Sequence, residues 1–404
     1  PATFESLRRN LPVSKEYTLI VIVVNNPAIE NVAECEQRRL RALQSDNLET
    51  LEWLQRTWGD SSELAVARVD AASPGRELPS AGGVGMARKI GADSVLQLLR
   101  DHARADGDED FAGFRLLHLD ADTTVEPDYL QAAAELELSD GVRGAVFPFA
   151  HATAESARVQ HALDAYELYM RYFVEGLAMA GSPYACHALG SAMMSTAGGY
   201  IKAGGMRAKR QAGEDFYFLQ ELAKTGGVRV GCGPTVHPAA RLSARTPYGT
   251  GPAMRKILDT GVENYTVYAP SVFLTLRAVL DAAVACANEG SSVEALLGQL
   301  GDPTAKEFLQ TARIETVWPR FVEQFGPGRG LLHAFQRWFD GLATVRLIHA
   351  LRDAGRPGWP PVAAWRRLAE EGALDFPPDV DSVRELLHWS REHQSHPRLC
   401  GIMP

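Results

Sequence analysis

The sequence predicts an α/β protein: a mostly parallel central sheet flanked by helices over residues 1-254, then an all-helical C-terminal region over 255-404. Three observations carry this. Short β-branched runs alternate with stretches of helical periodicity along the first part of the chain. Strand signals fade beyond Pro252, while helical periodicity continues to the end. The length of 404 residues fits two or three domains at ~150 residues each.

The elements follow in order. "YTLIVIVVNNP" (17-27) is a β-branched run closed by a turn signal, and Glu34 to Thr57 repeats apolar positions at helical spacing. "ELAVARVD" (63-70) is a second strand. "GGVGMARKIGADSVLQLLRDHA" (82-103) starts on glycines and carries an apolar face of Met86, Ile90, Val95, Leu98 and Leu99. "GFRLLHLD" (113-120) is a third strand, followed by the Pro127-led helix "PDYLQAAAELE" and the strand "RGAVFPFA". A long helix spans Ala154 to Ala180. Glycine-punctuated "GSAMMSTAGGYIKAGG" (190-205) and "GEDFYFLQELAKTGG" (213-227), a helix with carboxylates in its first turn, complete the region.

Composition narrows the function classes. Charged residues make up 23% and the net charge is -9, so no basic stripe points to nucleic acid. Five cysteines without CxxC spacing suggest neither zinc nor a disulfide framework and fit a reducing, cytoplasmic setting. The absence of an apolar run of about 18 residues predicts no transmembrane segment.

The chemistry concentrates in "LLHLDADTTVEPDYL" (116-130), where Asp120 and Asp122 flank one alanine at a strand's carboxyl end. That is where open parallel sheets bind ligands. Two like charges so close repel unless a cation compensates them. Mg2+ or Mn2+ takes oxygen ligands, often one or two carboxylates with substrate phosphates, so the pair predicts a metal-held diphosphate.

Taken together, residues 1 to about 250 resemble the nucleotide-sugar-dependent glycosyltransferases of the Rossmann-like GT-A fold, most closely family 2. "PATFE" resembles that family's "PxYNE", which puts Ala2 and Glu5 near the nucleotide and the family's first strand upstream of Pro1. "VIVVNNP" stands where the family has "VDDGS", so Asn25 and Asn26 replace an acidic pair and meet the base through amides. "GGVGMARKIGAD" resembles "GxxxARNxG", which implies that Arg88 lies near the nucleotide phosphates. "AGEDFYFLQEL" resembles the "ED" element, in which Asp215 is the general base and Glu214 orients it or touches the acceptor. In "TVHPAARLSARTPYGTG" (235-251) the resemblance implies His237 as a further metal ligand and Arg241 and Arg245 as holders of the leaving diphosphate.

The expected activity is transfer of a sugar from a nucleotide-diphosphate sugar, held by Asp120, Asp122, His237 and Mn2+ or Mg2+, to a hydroxyl of a saccharide or small molecule. Inversion suits an aspartate base, although retaining enzymes share the DxD and the later histidine. Two alternatives stay open. "DADTT" also matches the motif of haloacid-dehalogenase-like phosphatases, with Asp120 as nucleophile, although that motif normally follows the first strand. A non-catalytic sugar-nucleotide-binding protein would keep the same fold. The helical tail is expected to cover the site, receive the acceptor or form a homo-oligomer.

Overall fold

The computed structural model describes residues 2–10, 18–29, 34–58, 65–79, 82–106, 113–208, 213–241, 250–372, 375–393 and 398–402. The chain is mixed α/β and divides into two compact units. One comprises mainly 1–153 and 188–252, the other mainly 154–187 and 253–395.

In the first unit the strands are β1 (Leu19–Asn25), β2 (Ala65–Ala71), β3 (Arg115–Leu117), β4 (Thr124–Val125), β5 (Val142–Val146), β6 (Met193–Thr196), β7 (Gly227–Val230) and β8 (Val236–His237). β1 and β2 pair in parallel over their whole length, Leu19 opposite Ala65 through Asn25 opposite Ala71. The helix Glu34–Trp58 packs on β1 with Leu54 buried, and the helix Val84–Asp106 packs on it through Met86, Ala87 and Ile90. This is the strand–helix alternation that the hydrophobic pattern dictates.

The larger sheet differs from the expected mostly parallel one. Within the first unit its strands run in the order β3-β6-β5-β7, the four of its five strands named above, with β5 and β7 parallel but β6 antiparallel to both β3 and β5. The run "SAMMST" fills the place between β3 and β5, and Ala192, Met193, Met194 and Ser195 are all fully buried there. Gly144 allows the approach, since a Cβ there would strike the Met194 carbonyl oxygen. β4 and β8 form a separate two-residue antiparallel ladder, with Val125 and Val236 buried.

The second unit is helical. It also takes the helix Ala157–Met179, which the sequence reading counts with the first region. Leu168, Tyr172 and Leu177 of that helix share one core with Phe273, Leu276, Trp318, Phe335, Leu347 and Trp365. Helix starts follow capping rules: Ser292 accepts from Ala295 N–H at 3.4 Å, Asp302 from Ala305 N–H at 3.0 Å, and Asp340 from Leu342 and Ala343 N–H at 3.1 Å. Pro270–Glu289 is long and apolar enough to cross a membrane by length and composition. In this unit Val272, Phe273, Leu276, Val279 and Ala283 of that helix lie in the core.

Candidate functional site

The segment 118–126 leaves the end of β3 as a turn closed by Thr123 N–H donating to the Asp120 carbonyl at 3.0 Å. Buried Ser191, two residues before β6, fixes it from below. Its hydroxyl donates to Asp120 Oδ2 at 2.8 Å and accepts from Thr123 Oγ1 at 3.0 Å and the Asp120 N–H at 3.3 Å. The N-terminal helix Ala2–Arg8 and the residues after it hold the turn from the side. Thr3 Oγ1 donates to the Ala121 carbonyl at 2.8 Å, and Ser6 Oγ accepts the Val125 N–H at 3.2 Å. Asn10 donates to the Glu126 carbonyl at 3.1 Å and accepts the Leu130 N–H at 2.8 Å. The stretch from 121 to 130 is thus tied to one short helical segment by side chains that are themselves buried.

Arg88, on the first turns of the helix Val84–Asp106, joins two motifs far apart in sequence. Nη2 pairs with Asp120 Oδ1, and Nη1 pairs with Glu214 Oε1. Glu214 and Asp215 open the helix Glu214–Thr225, where the helix dipole favours carboxylates, after Gly213 at φ 106°. Gly85 brings the two helices together, since a Cβ there would lie 2.8 Å from Glu214 Cβ and 3.0 Å from the Arg207 carbonyl oxygen. Asp215 Oδ1 accepts the Phe216 N–H at 2.8 Å. Burial raises the Asp215 pKa to about 6, with the Glu214 charge adding to the rise and Arg88 opposing it. Behind Arg88 lies His118, stacked edge-on against Phe218 and held neutral by burial and by the Arg88 charge, which bring its pKa down to about 3.

The remaining residues fall in several places. Asp122 is ion-paired with Arg241, both partly solvent-facing. His237, at the end of β8, has Nε2 2.6 Å from Glu126 Oε1 and Nδ1 3.0 Å from the Ala150 carbonyl. Asn25 ends β1, and its carbonyl accepts from Asn47 at 3.1 Å; Asn26 is buried, with its backbone joined to Ala71 and Leu78. Ala2 and Glu5 are on the N-terminal helix, where Glu5 pairs with Arg8 at 3.1 Å. Arg245 lies outside the described residues.

The geometry therefore gathers Arg88, Asp120, Glu214 and Asp215, with Asp122 on the same turn as Asp120 and Arg241, from the segment after β8, paired to it. Among the described residues no three His, Cys, Asp or Glu side chains converge as a metal cluster, so His237 does not join Asp120 and Asp122; Glu126 occupies its Nε2 instead. The charge balance nevertheless suits a divalent cation. Four carboxylates, Asp120, Asp122, Glu214 and Asp215, face two guanidinium groups, Arg88 and Arg241. Two aspartates can serve Mg2+ or Mn2+ when phosphate oxygens complete the shell.

Sequence reasoning missed Ser191, Thr3, Ser6, Asn10 and Glu126. Only Ser191 left a trace, in the small-residue step "GS" before a buried run. No protein-family model, curated protein or solved structure matches this chain.

Proposed function

We propose that the first unit is a GT-A-type catalytic domain that transfers a sugar from a nucleotide-diphosphate sugar to a hydroxyl acceptor. The observation that carries this reading is the Arg88 bridge, which joins the DxD turn to the ED helix in one charged cluster. A chance DxD on a solvated turn needs no such partner.

Asp120 and Asp122 are the residues that would hold a divalent cation, which when bound neutralises the donor diphosphate. Arg241, already paired with Asp122 and half exposed, is placed to attract diphosphate oxygens and offset the charge that grows on them as the glycosidic bond breaks. Asp215 accepts the proton of the acceptor hydroxyl as its oxygen attacks the anomeric carbon and the nucleoside diphosphate leaves with the bonding electrons. A pKa of about 6 leaves this carboxylate ionised at neutral pH yet more basic than an ordinary aspartate, which suits a general base. The Phe216 N–H keeps it oriented. One face of attack opposite the leaving group gives inversion.

A phosphatase would need an Asp120 oxygen free to attack phosphorus. Oδ1 is paired with Arg88 and Oδ2 accepts from Ser191, which favours a holding role over a nucleophilic one.

The test is a panel of UDP-, GDP-, ADP- and TDP-sugars with manganese, read as nucleoside diphosphate released without acceptor. Slow release from one donor, lost in Asp215→Asn, supports transfer. Release from none, or transfer of phosphate to water with a phosphorylated Asp120, removes the reading.

A further inference from the structure

Resemblance places Arg88 beside the nucleotide phosphates; its surroundings point elsewhere. Its side chain is only 10% exposed. Each terminal nitrogen is engaged by a different carboxylate, Asp120 Oδ1 and Glu214 Oε1. The Gly190 backbone lies against the guanidinium so closely that a Cβ there would collide with it, and Nε, buried, has no partner among the described residues. A guanidinium that grips a diphosphate presents two N–H groups side by side to an open site. Here each outer nitrogen already gives an N–H to a different carboxylate, and the Gly190 backbone lies against the group.

We propose that Arg88 is a positioning residue that ties the cation turn to the acceptor-base helix, competing with the divalent cation for Asp120 while keeping Glu214 fixed, and that it is not a ligand of the diphosphate. The proposal rests on the transferase reading of the same site. Glu214 side chain is 4% exposed, so its charge depends on Arg88 for compensation and that half of the bridge persists. Asp120 is 41% exposed, so its half is the weaker and the one a cation can replace. A cation on Asp120 frees Arg88 to act wholly on Glu214 and the adjoining Asp215. Because coupling between two sites is reciprocal, anything that draws Arg88 toward the base helix also favours cation binding at the turn.

The test uses the full chain and two probes, manganese alone and manganese with inorganic pyrophosphate, in calorimetric titrations. The compared proteins are Glu214→Gln and the double variant Arg88→Gln with Glu214→Gln, which removes both charges of the buried pair together. Removing the competing guanidinium is expected to tighten manganese binding roughly threefold to fivefold, the worth of a partly exposed ion pair. Manganese-dependent pyrophosphate binding is expected to stay within about twofold. Unchanged or weaker manganese binding overturns the competition. A loss of pyrophosphate affinity of about tenfold or more makes Arg88 a phosphate ligand and also overturns it. Should the double variant fail to fold, Arg88→Lys, which keeps the charge but cannot reach both carboxylates at once, must tighten manganese in the same direction. Wild-type protein that binds manganese neither alone nor with pyrophosphate removes the transferase reading and this inference with it, whereas manganese bound equally by all variants removes only the inference.

Discussion

Replacing Asp215 with asparagine keeps the shape of the side chain and its acceptor for the Phe216 N–H, but removes a charge that the fold holds at a cost. The Asp215 pKa rises from 3.8 to about 6, chiefly through burial. The folded state therefore keeps the proton between these values while the unfolded chain releases it, so stability falls as pH rises through that window. Above about pH 6 the whole penalty is present; two units correspond to about 3 kcal/mol, an order-of-magnitude figure. Asp215→Asn does not titrate. Its stability gain should thus be about 0.5 kcal/mol at about pH 4 and reach about 2–3 kcal/mol at about pH 7.5. Urea titrations followed by amide exchange of the helix Glu214–Thr225 measure this locally. A gain of equal size at both pH values, or no gain at the higher one, would refute the assignment of Asp215 as a desolvated, charge-strained carboxylate. A stabilised but inactive variant is the pattern expected when a functional group is held against its own solvation.

Further outcomes follow from contacts around the turn. Gly85→Ala should destabilise the first unit by about 1–3 kcal/mol, because the new methyl meets Glu214 Cβ at 2.8 Å and backbone at 3.0 Å; a melting curve matching wild type would show that the helices separate freely. Asn10→Ala leaves the partly buried Leu130 N–H without its acceptor and should cost about 1 kcal/mol while weakening manganese binding through a looser turn, both measurable by melting and calorimetry. Trp318→Ala should open a cavity in the helical core and cost about 3–5 kcal/mol, read from the unfolding transition of that unit.

The parts legible in the sequence were those written locally. The run 17–27 became β1, the pattern from Glu34 became one long helix, and the carboxylates after Gly213 opened a helix. Periodicity and capping residues act within a few positions, so a single strand of text contains them. What escaped depends on distant partners. Nothing near Met193 states that β6 runs antiparallel between β3 and β5; that is set by partners about 50 to 80 residues away in the chain. A two-residue strand such as β4 has no period to detect. Ser191, Thr3 and Asn10 resemble any surface polar residue until the turn they support is present. Periodicity is enough to make 154–180 a helix, but the packing of Ala157–Met179 against Phe273 and Leu276 depends on residues far along the chain. For the site, the motifs supplied Asp120, Asp122, Glu214 and Asp215, while the Arg88 bridge and the Glu126 partner of His237 came only from three dimensions.

The central claim, that Asp120 and Asp122 hold a cation bearing a nucleoside diphosphate, is tested most directly by calorimetry with UDP, GDP, ADP and TDP, each with and without manganese, on wild type and Asp122→Ala. The account predicts that one diphosphate binds wild type only when manganese is present and that Asp122→Ala abolishes this binding. Metal-independent binding, or binding that survives Asp122→Ala unchanged, would contradict it.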